Sequence, residues 1–287
     1  MRNRTCWITG GGGLIGSAVA TSAWQPPGWT WVRLCRSDLE LSDFGAVDRR
    51  FALEQPDAVI HCAAMSKSPQ CQSDPAGARL WNVEVTRHLA GLFRGRRMLF
   101  LSTDLVFDGR SGGYAEDALV NPLSFYAETK VEAEKEVLTQ PGHLVVRTSL
   151  NHGTSPTGDR GFNEEMTRSW QSGRKLKLFT DEFRTPIPAV CTARALLELL
   201  GQEVDGILHI AGSERLSRWE IGQALSGSFL GMDCPMEPGS LKEYVGAPRS
   251  PDTSLDCRRA QALLSFELPR YSEWLRGQGG PNGKTDA

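Results

Sequence analysis

The chain has 287 residues, 23% of them charged and a formal net charge of −2, which gives a large core in one or two lobes and no basic field for nucleic acid or an anionic membrane. No run approaches the ~18 consecutive apolar residues of a bilayer span. The seven scattered cysteines contain no C-x-x-C pair, so they predict neither a disulfide scaffold nor a zinc site, and the whole reads as a soluble, cytoplasmic protein without a metal centre.

Arg4 to Thr9 is a strand-forming run that meets four consecutive glycines, Gly10 to Gly13, followed by a helix-like segment through Leu14, Ile15 and Gly16 to Ala20. Backbone amides at a helix start carry about half a positive charge and lack intrahelical partners, so they attract phosphate. A Cβ in such a turn would block a pyrophosphate and forbid the turn's dihedrals. The spacing Gly10, Gly13, Gly16 reads G-x-x-G-x-x-G, and Gly11, Gly13, Gly16 also satisfies G-x-G-x-x-G. A plain flexible loop and a signal peptide behind Arg2 and Arg4 are the alternatives. Four glycines make a poor signal core, and the strands and polar set downstream favour the phosphate-binding turn.

After the breaker Gln25-Pro26-Pro27-Gly28, Trp29 to Cys35 reads as the second strand, ending at Arg36 and Ser37. An acid near this strand end would bind the ribose hydroxyls of NAD; Arg36 would instead favour a 2′-phosphate through charge-assisted bonds. An ordinary solvated loop arginine is the bland reading. Glu40 and Leu41 then lie where adenine contacts are expected, and Ser42 or Asp43 caps a helix from Phe44 to Leu53. Ala58 to Ala64 is a buried parallel strand whose small end residues, Cys62, Ala63 and Ala64, leave room for a cofactor. His61 within it reads as a packed core histidine.

A helical segment runs from about Ala76 to Phe93 and carries Asn82. Met98 to Leu101 is the next strand, running into Ser102, Thr103 and Asp104, and the glycine-rich loop Phe107 to Tyr114 reads as long and mobile. A charged helix begins at Tyr126-Ala127-Glu128-Thr129-Lys130 and reaches about Leu138. Strands alternating with helices over about 150 residues predict an α/β, doubly wound parallel sheet with its site at the strand carboxyl ends. The expected division is a dinucleotide-binding domain over 1–150, a smaller α+β substrate lobe over 151–275 woven with the last sheet strands, and a disordered tail over 276–287. His143 to Thr148 and Gly206 to Ile210 are those last strands, and Ser217 caps a helix from Arg218 to Leu230.

Tyr126 and Lys130 are four apart, on one face of a helix. A lysine ammonium there would lower the phenol's pKa and reach a nicotinamide ribose. Thr103 at a neighbouring strand end would polarise a substrate carbonyl. The pattern is hydride delivery to carbon with Tyr126 protonating oxygen.

The glycine turn, Ser102-Thr103-Asp104, Val106-Phe107-Asp108-Gly109 and Tyr126-x-x-x-Lys130 resemble an extended short-chain dehydrogenase/reductase. Within it, His61-Cys62-Ala63-Ala64, Asn82, Tyr114 with Glu116, Pro122, Arg147-Thr148-Ser149, Arg215 to Arg218 and Arg249 to Asp256 are similar to the dTDP-4-dehydrorhamnose reductase family over about residues 4 to 270. The resemblance implies an oxidoreductase using NADPH, with NADH as the alternative, on a small-molecule nucleotide sugar. It places Ser102, Tyr126 and Lys130 at the cofactor and Thr103, Asp104, Leu150 and Arg184 at the sugar. Leu150 stands where that family has tryptophan, and Arg184-Thr185-Pro186-Ile187 replaces its Gly-x-Pro-Thr loop. Leu105 after Asp104 departs from the Thr-Asp-Glu set of nucleotide-sugar dehydratases and argues against dehydration. Epimerisation stays open, as do a homodimer and a non-enzymatic role: the NADP-binding regulatory β subunit of methionine adenosyltransferase is similar to this chain in both halves.

Overall fold

The computed structural model describes residues 3–228, 233–246 and 248–278. Its central sheet is built from β1 (Arg4–Thr9), β2 (Trp29–Leu34), β3 (Ala58–His61), β4 (Arg97–Thr103), β5 (Leu144–Thr148) and β10 (Gly206–Ile210). All six run parallel in the order β10-β5-β4-β3-β1-β2, so the strand order reverses between β1 and β3. In such sheets the crevice for ligands opens at that reversal, beyond the carboxyl ends. This is the doubly wound α/β sheet that the sequence pattern predicts.

Side chains alternate across a strand, and the two faces of β1 show it. Cys6 and Ile8 enter one core with α1 (Leu14–Ala20) and α8 (Ala189–Leu200). Trp7 enters the other, against Phe93 and the helices α2 (Phe44–Glu54), α5 (Val85–Leu92) and α6 (Phe125–Leu138). Asp43 caps α2 by accepting the Ala46 N–H at 2.9 Å, and Ser124 caps α6 by accepting the Ala127 N–H at 3.3 Å. The cap on α6 matters most, because it sets where the helix carrying Tyr126 begins.

Between β3 and α5 the chain forms α3 (Ser68–Ser73), α4 (Pro75–Arg79) and a π-helical turn, Leu80–Glu84, where one continuous helix was expected. The widened turn carries Asn82, and such bulges recur at functional sites. Beyond β5 come β6 (Asn151–His152), α7 (Phe162–Gln171), β7 (Leu176–Phe179), β8 (Phe183–Arg184) and β9 (Ile187–Pro188). After β10 follow β11 (Leu216–Ser217), α9 (Arg218–Ser226), β12 (Met236–Gly239), α10 (Arg258–Gln261) and α11 (Tyr271–Gln278). Met166, Trp170, Leu178, Ile221, Leu225, Tyr271 and Leu275 form the core of this second lobe. Ser217 caps α9 in a reciprocal box with Glu220.

Two expectations change. The loop from Phe107 to Tyr114 is not a free flap. Tyr114 stacks on Phe107 at 4.1 Å, its N–H donates to Ser254 O at 2.9 Å, and a Cβ on Gly109 would lie 2.7 Å from Asp252 N. The segment 250–256 therefore straps it down. The tail expected from residue 276 is helical as far as Gln278, and the remainder lies outside the described residues.

Candidate active site

The glycine turn leaves β1 next to the end of β3. Gly10 sits in the left-handed region at φ +68°, and a Cβ there would lie 2.7 Å from Ala63 N. Gly16 is held by closeness instead, since its Cβ would come within 2.3 Å of Gly10 O. Gly13 is different from what the motif suggests. It is the N-cap of α1 at φ −89°, ψ 175°, an extended conformation open to any residue, and its Cβ would meet Gly10 O at 3.2 Å. The N–H groups of Leu14, Ile15 and Gly16 form the first turn of α1, where no intrahelical partner exists. Leu14 is buried against Gly153 and Gly161, so the second lobe roofs the turn.

At the end of β2, Arg36 and Ser37 are exposed. The Arg36 Nε donates to Glu40 Oε2 at 2.8 Å, and its guanidinium lies 4.7 Å from the Trp81 ring. Glu40 also accepts from the Ser42 hydroxyl at 2.7 Å, whereas Leu41 is a core residue packed with Leu34 and Val47. The sequence reading passed over two groups here. Arg33 Nε donates to Gly11 O at 3.0 Å, bringing a second guanidinium beside the turn. Asp38 accepts the Cys35 N–H at 2.8 Å, so this strand end does have a carboxylate.

Around the end of β3, Thr9 Oγ1 accepts the Ala63 N–H at 3.3 Å and bonds His61 Nδ1 at 2.7 Å, while His61 Nε2 meets Thr86 Oγ1 at 3.1 Å. Burial, followed by the charge of Lys130, pushes His61 down to about 3. It is the neutral core histidine expected. Just beyond Cys62, Ala63 and Ala64, Asn82 accepts the Met65 N–H at 2.8 Å and donates to Met65 O at 3.1 Å and Thr129 Oγ1 at 2.9 Å. The π-turn thereby clamps the strand-end loop to α6.

Thr103 ends β4, and the half-buried Tyr126 is the second residue of α6. Burial lifts the Tyr126 phenol above its ordinary range, Cys71 and Asp104 add to this, and Thr103 opposes it. The phenol is therefore held protonated. Lys130 is almost fully buried, donates Nζ–H to Leu101 O at 2.7 Å and lies 3.8 Å from the Phe100 ring centre. Burial pushes it down to about 7, against the opposing charge of Glu134. The expectation that Lys130 draws the phenol down is corrected: desolvation dominates at both groups.

Directly after β4, Asp104 is buried and accepts from Ser149 Oγ at 2.8 Å and Thr253 Oγ1 at 2.9 Å. Burial raises its carboxyl, with Arg184 at 3.7 Å and the hydroxyls opposing. Arg184 is itself 4% exposed, and its guanidinium is engaged by Glu182 Oε1 at 3.0 Å, Phe183 O at 2.7 Å and Ser250 O at 3.1 Å. These partners take up the guanidinium within the fold. Glu182 also accepts both Arg249 Nε at 2.8 Å and Nη2 at 2.9 Å. Leu150 packs at the edge of the second-lobe core, and its carbonyl accepts the Ile187 N–H at 2.9 Å.

The family model for the RmlD substrate binding domain matches residues 4–277. The chain belongs to this family. Among curated relatives, methionine adenosyltransferase 2 subunit beta of Bos taurus is 30% identical over 91% of this chain and 83% of its own length. A hypothetical dTDP-4-dehydrorhamnose reductase of Sulfolobus tokodaii superposes with a TM-score of 0.82 at 28% identity, covering 93% of this chain and 97% of that one. The dTDP-4-dehydrorhamnose reductase of Bacillus anthracis in complex with NADP superposes with a TM-score of 0.87 at 22% identity, covering 96% and 98%. The second of these solved structures supports the shared fold alone. The family carries relatives named as reductases and relatives named as a subunit of another enzyme.

The residues present fit a nicotinamide dinucleotide. Gly10 and Gly16 leave the turn no room for side chains, the first-turn amides of α1 face the crevice at the strand reversal, and Ala63 and Ala64 keep the end of β3 small. Ser102 does not join them: it is buried, and its hydroxyl donates to Glu134 Oε1 at 2.5 Å beneath the site.

Proposed function

We propose that this chain reduces a keto group on a nucleotide-linked sugar, using NADPH in preference to NADH. The observation that carries the proposal is the placement of Thr103 at the carboxyl end of β4 and of Tyr126, held protonated, at the head of α6, with Lys130 one helical turn further along. The dinucleotide would supply hydride to the carbonyl carbon. As charge develops on the carbonyl oxygen, Thr103 donates a hydrogen bond to it and Tyr126 gives up its phenolic proton. Lys130, titrating near neutral pH, holds a ribose hydroxyl and stabilises the phenolate left behind. Arg36, with Arg33 beside the turn, supports the NADPH preference, while Asp38 and Glu40 moderate it.

A second reading is favoured by two observations. Relatives covering most of this chain are named as a subunit of methionine adenosyltransferase, and the arginines of the sugar pocket are engaged with Glu182 and Asp104. In that reading the chain binds a nicotinamide cofactor and acts through a partner. Oxidation of NADPH by the purified protein with a panel of 4-keto nucleotide sugars separates the two, because only the reductase turns over.

A further inference from the structure

Tyr126, Lys130 and Glu134 stand at four-residue intervals along the inner face of α6, from the crevice mouth into the core. Glu134 is 3% exposed, and it is the best-anchored group on that face. Its Oε1 accepts from Ser102 Oγ at 2.5 Å and Arg147 Nε at 3.0 Å, and its Oε2 accepts from Arg147 Nη2 at 2.7 Å. Ser102 and Arg147 are register partners on β4 and β5, so one carboxylate ties the helix to both central strands. Arg147 is also buried, and its Nη1 continues to Glu116 O at 3.4 Å and His209 Nε2 at 3.5 Å. A buried ion pair contributes little net stability over an apolar pair of similar volume. Its value lies in what it orients.

We infer that Glu134 is the positioning residue of the Tyr126–Lys130 pair, fixing the depth and rotation of α6 over β4 and β5 and supplying negative charge beneath the Lys130 ammonium. The inference rests on the reductase reading only for its effect on turnover. The groups facing Lys130 are Tyr126 and Glu134 on its own helix, His61 and Cys62 at the end of β3, the Leu101 carbonyl on β4, and Arg147 on β5 behind Glu134. His61 and Cys62 are held neutral by burial, so Glu134 is the anion that favours a charged Lys130. Burial is what holds Lys130 near 7, and Glu134 opposes that fall.

The test uses the full chain with 13C-labelled lysine, following the Cε resonance of Lys130, identified by its loss in Lys130→Met. The wild-type midpoint is expected near 7. Glu134→Gln keeps the shape but removes the charge and leaves Arg147 unbalanced, so the midpoint should fall by about one unit or more. If that variant fails to fold, the double variant Glu134→Met with Arg147→Met removes both charges, and the midpoint should still fall. The alkaline limb of kcat/KM should move with it. A midpoint unchanged in whichever variant folds overturns the inference. A midpoint that falls while no keto sugar is reduced supports the inference and refutes the reductase reading, so the two fail separately.

Discussion

Gly16→Ala is the sharpest perturbation of the cofactor turn. The added methyl would sit 2.3 Å from Gly10 O, 2.7 Å from Gly10 C and 3.1 Å from Gly11 N. An ordinary contact is about 3.4 Å or more, so the Gly10 carbonyl must retreat by roughly 1 Å. It has nowhere to go cheaply: Gly10 O accepts the Gly13 N–H at 2.8 Å, and the other side of Gly10 abuts the Ala63 backbone. Forced overpacking of this kind costs about 1–3 kcal/mol, and it falls on the segment that would cradle the phosphates. Gly12→Ala is the matched control, because its methyl meets nothing nearer than Cys35 Sγ at 3.9 Å. Isothermal titration with NADPH and thermal melts should show Gly16→Ala losing ten-fold or more in affinity, the factor that about 1.4 kcal/mol represents. Gly12→Ala should stay close to wild type. Equal affinity and equal melting temperature for the two variants would refute the placement of the phosphates on this turn.

Three further outcomes follow from the same geometry. Arg36→Ala should lower the NADPH-to-NADH affinity ratio, and Glu40→Gln, which releases the Arg36 guanidinium, should raise it; fluorescence titrations that show neither change would remove Arg36 from the 2′-phosphate site. Lys130→Met should abolish turnover yet stabilise the fold at pH 7 by up to about 4 kcal/mol, at about 1.4 kcal/mol per unit. The sign comes from a folded value near 7 against 10.5: the unfolded chain holds a proton that the folded chain releases between those values, so the cost of the native lysine is full below pH 7 and gone above about 10.5. Melts across that pH range should therefore show the advantage of the variant shrinking as pH rises, and a constant difference would contradict the buried ammonium. Asp252→Ala should loosen the strap over Gly109 and Gly112, read as faster amide exchange in 107–114.

The parts of the fold that were legible in the sequence are those carried by local pattern. The six central strands follow from apolar runs, α6 begins next to the Tyr126 expected at its head, and Ser217 was legible as the cap of α9, while the Ser124 cap and the reciprocal bond from Glu220 emerge only in the structure. What the sequence hid depends on distant partners. Nothing local shows that the Phe107–Tyr114 loop is strapped by residues 250–256, nor that Arg184 spends its guanidinium on Glu182. Asp38 was visible as a carboxylate but lies three residues past Cys35, and only the turn brings it back to the strand end. Gly13 looked obligatory from its place in the motif, but the strict positions are Gly10 by its dihedrals and Gly16 by its contact with Gly10. The reversal of the Tyr126–Lys130 electrostatics belongs to the same class, because helical spacing places two groups on one face without stating how dry that face is.

The central claim is that Tyr126 delivers a proton to a keto sugar while a nicotinamide delivers hydride, and one comparison tests it most directly. Wild type and Tyr126→Phe are mixed with NADPH and a panel of 4-keto nucleotide sugars, and NADPH oxidation is followed at saturating cofactor. General acid catalysis contributes about 10²–10⁴-fold, so the wild type should reduce at least one sugar, with kcat lower by that factor in Tyr126→Phe and cofactor affinity unchanged. Equal rates in the two proteins, or no turnover of any sugar by the wild type, would contradict it.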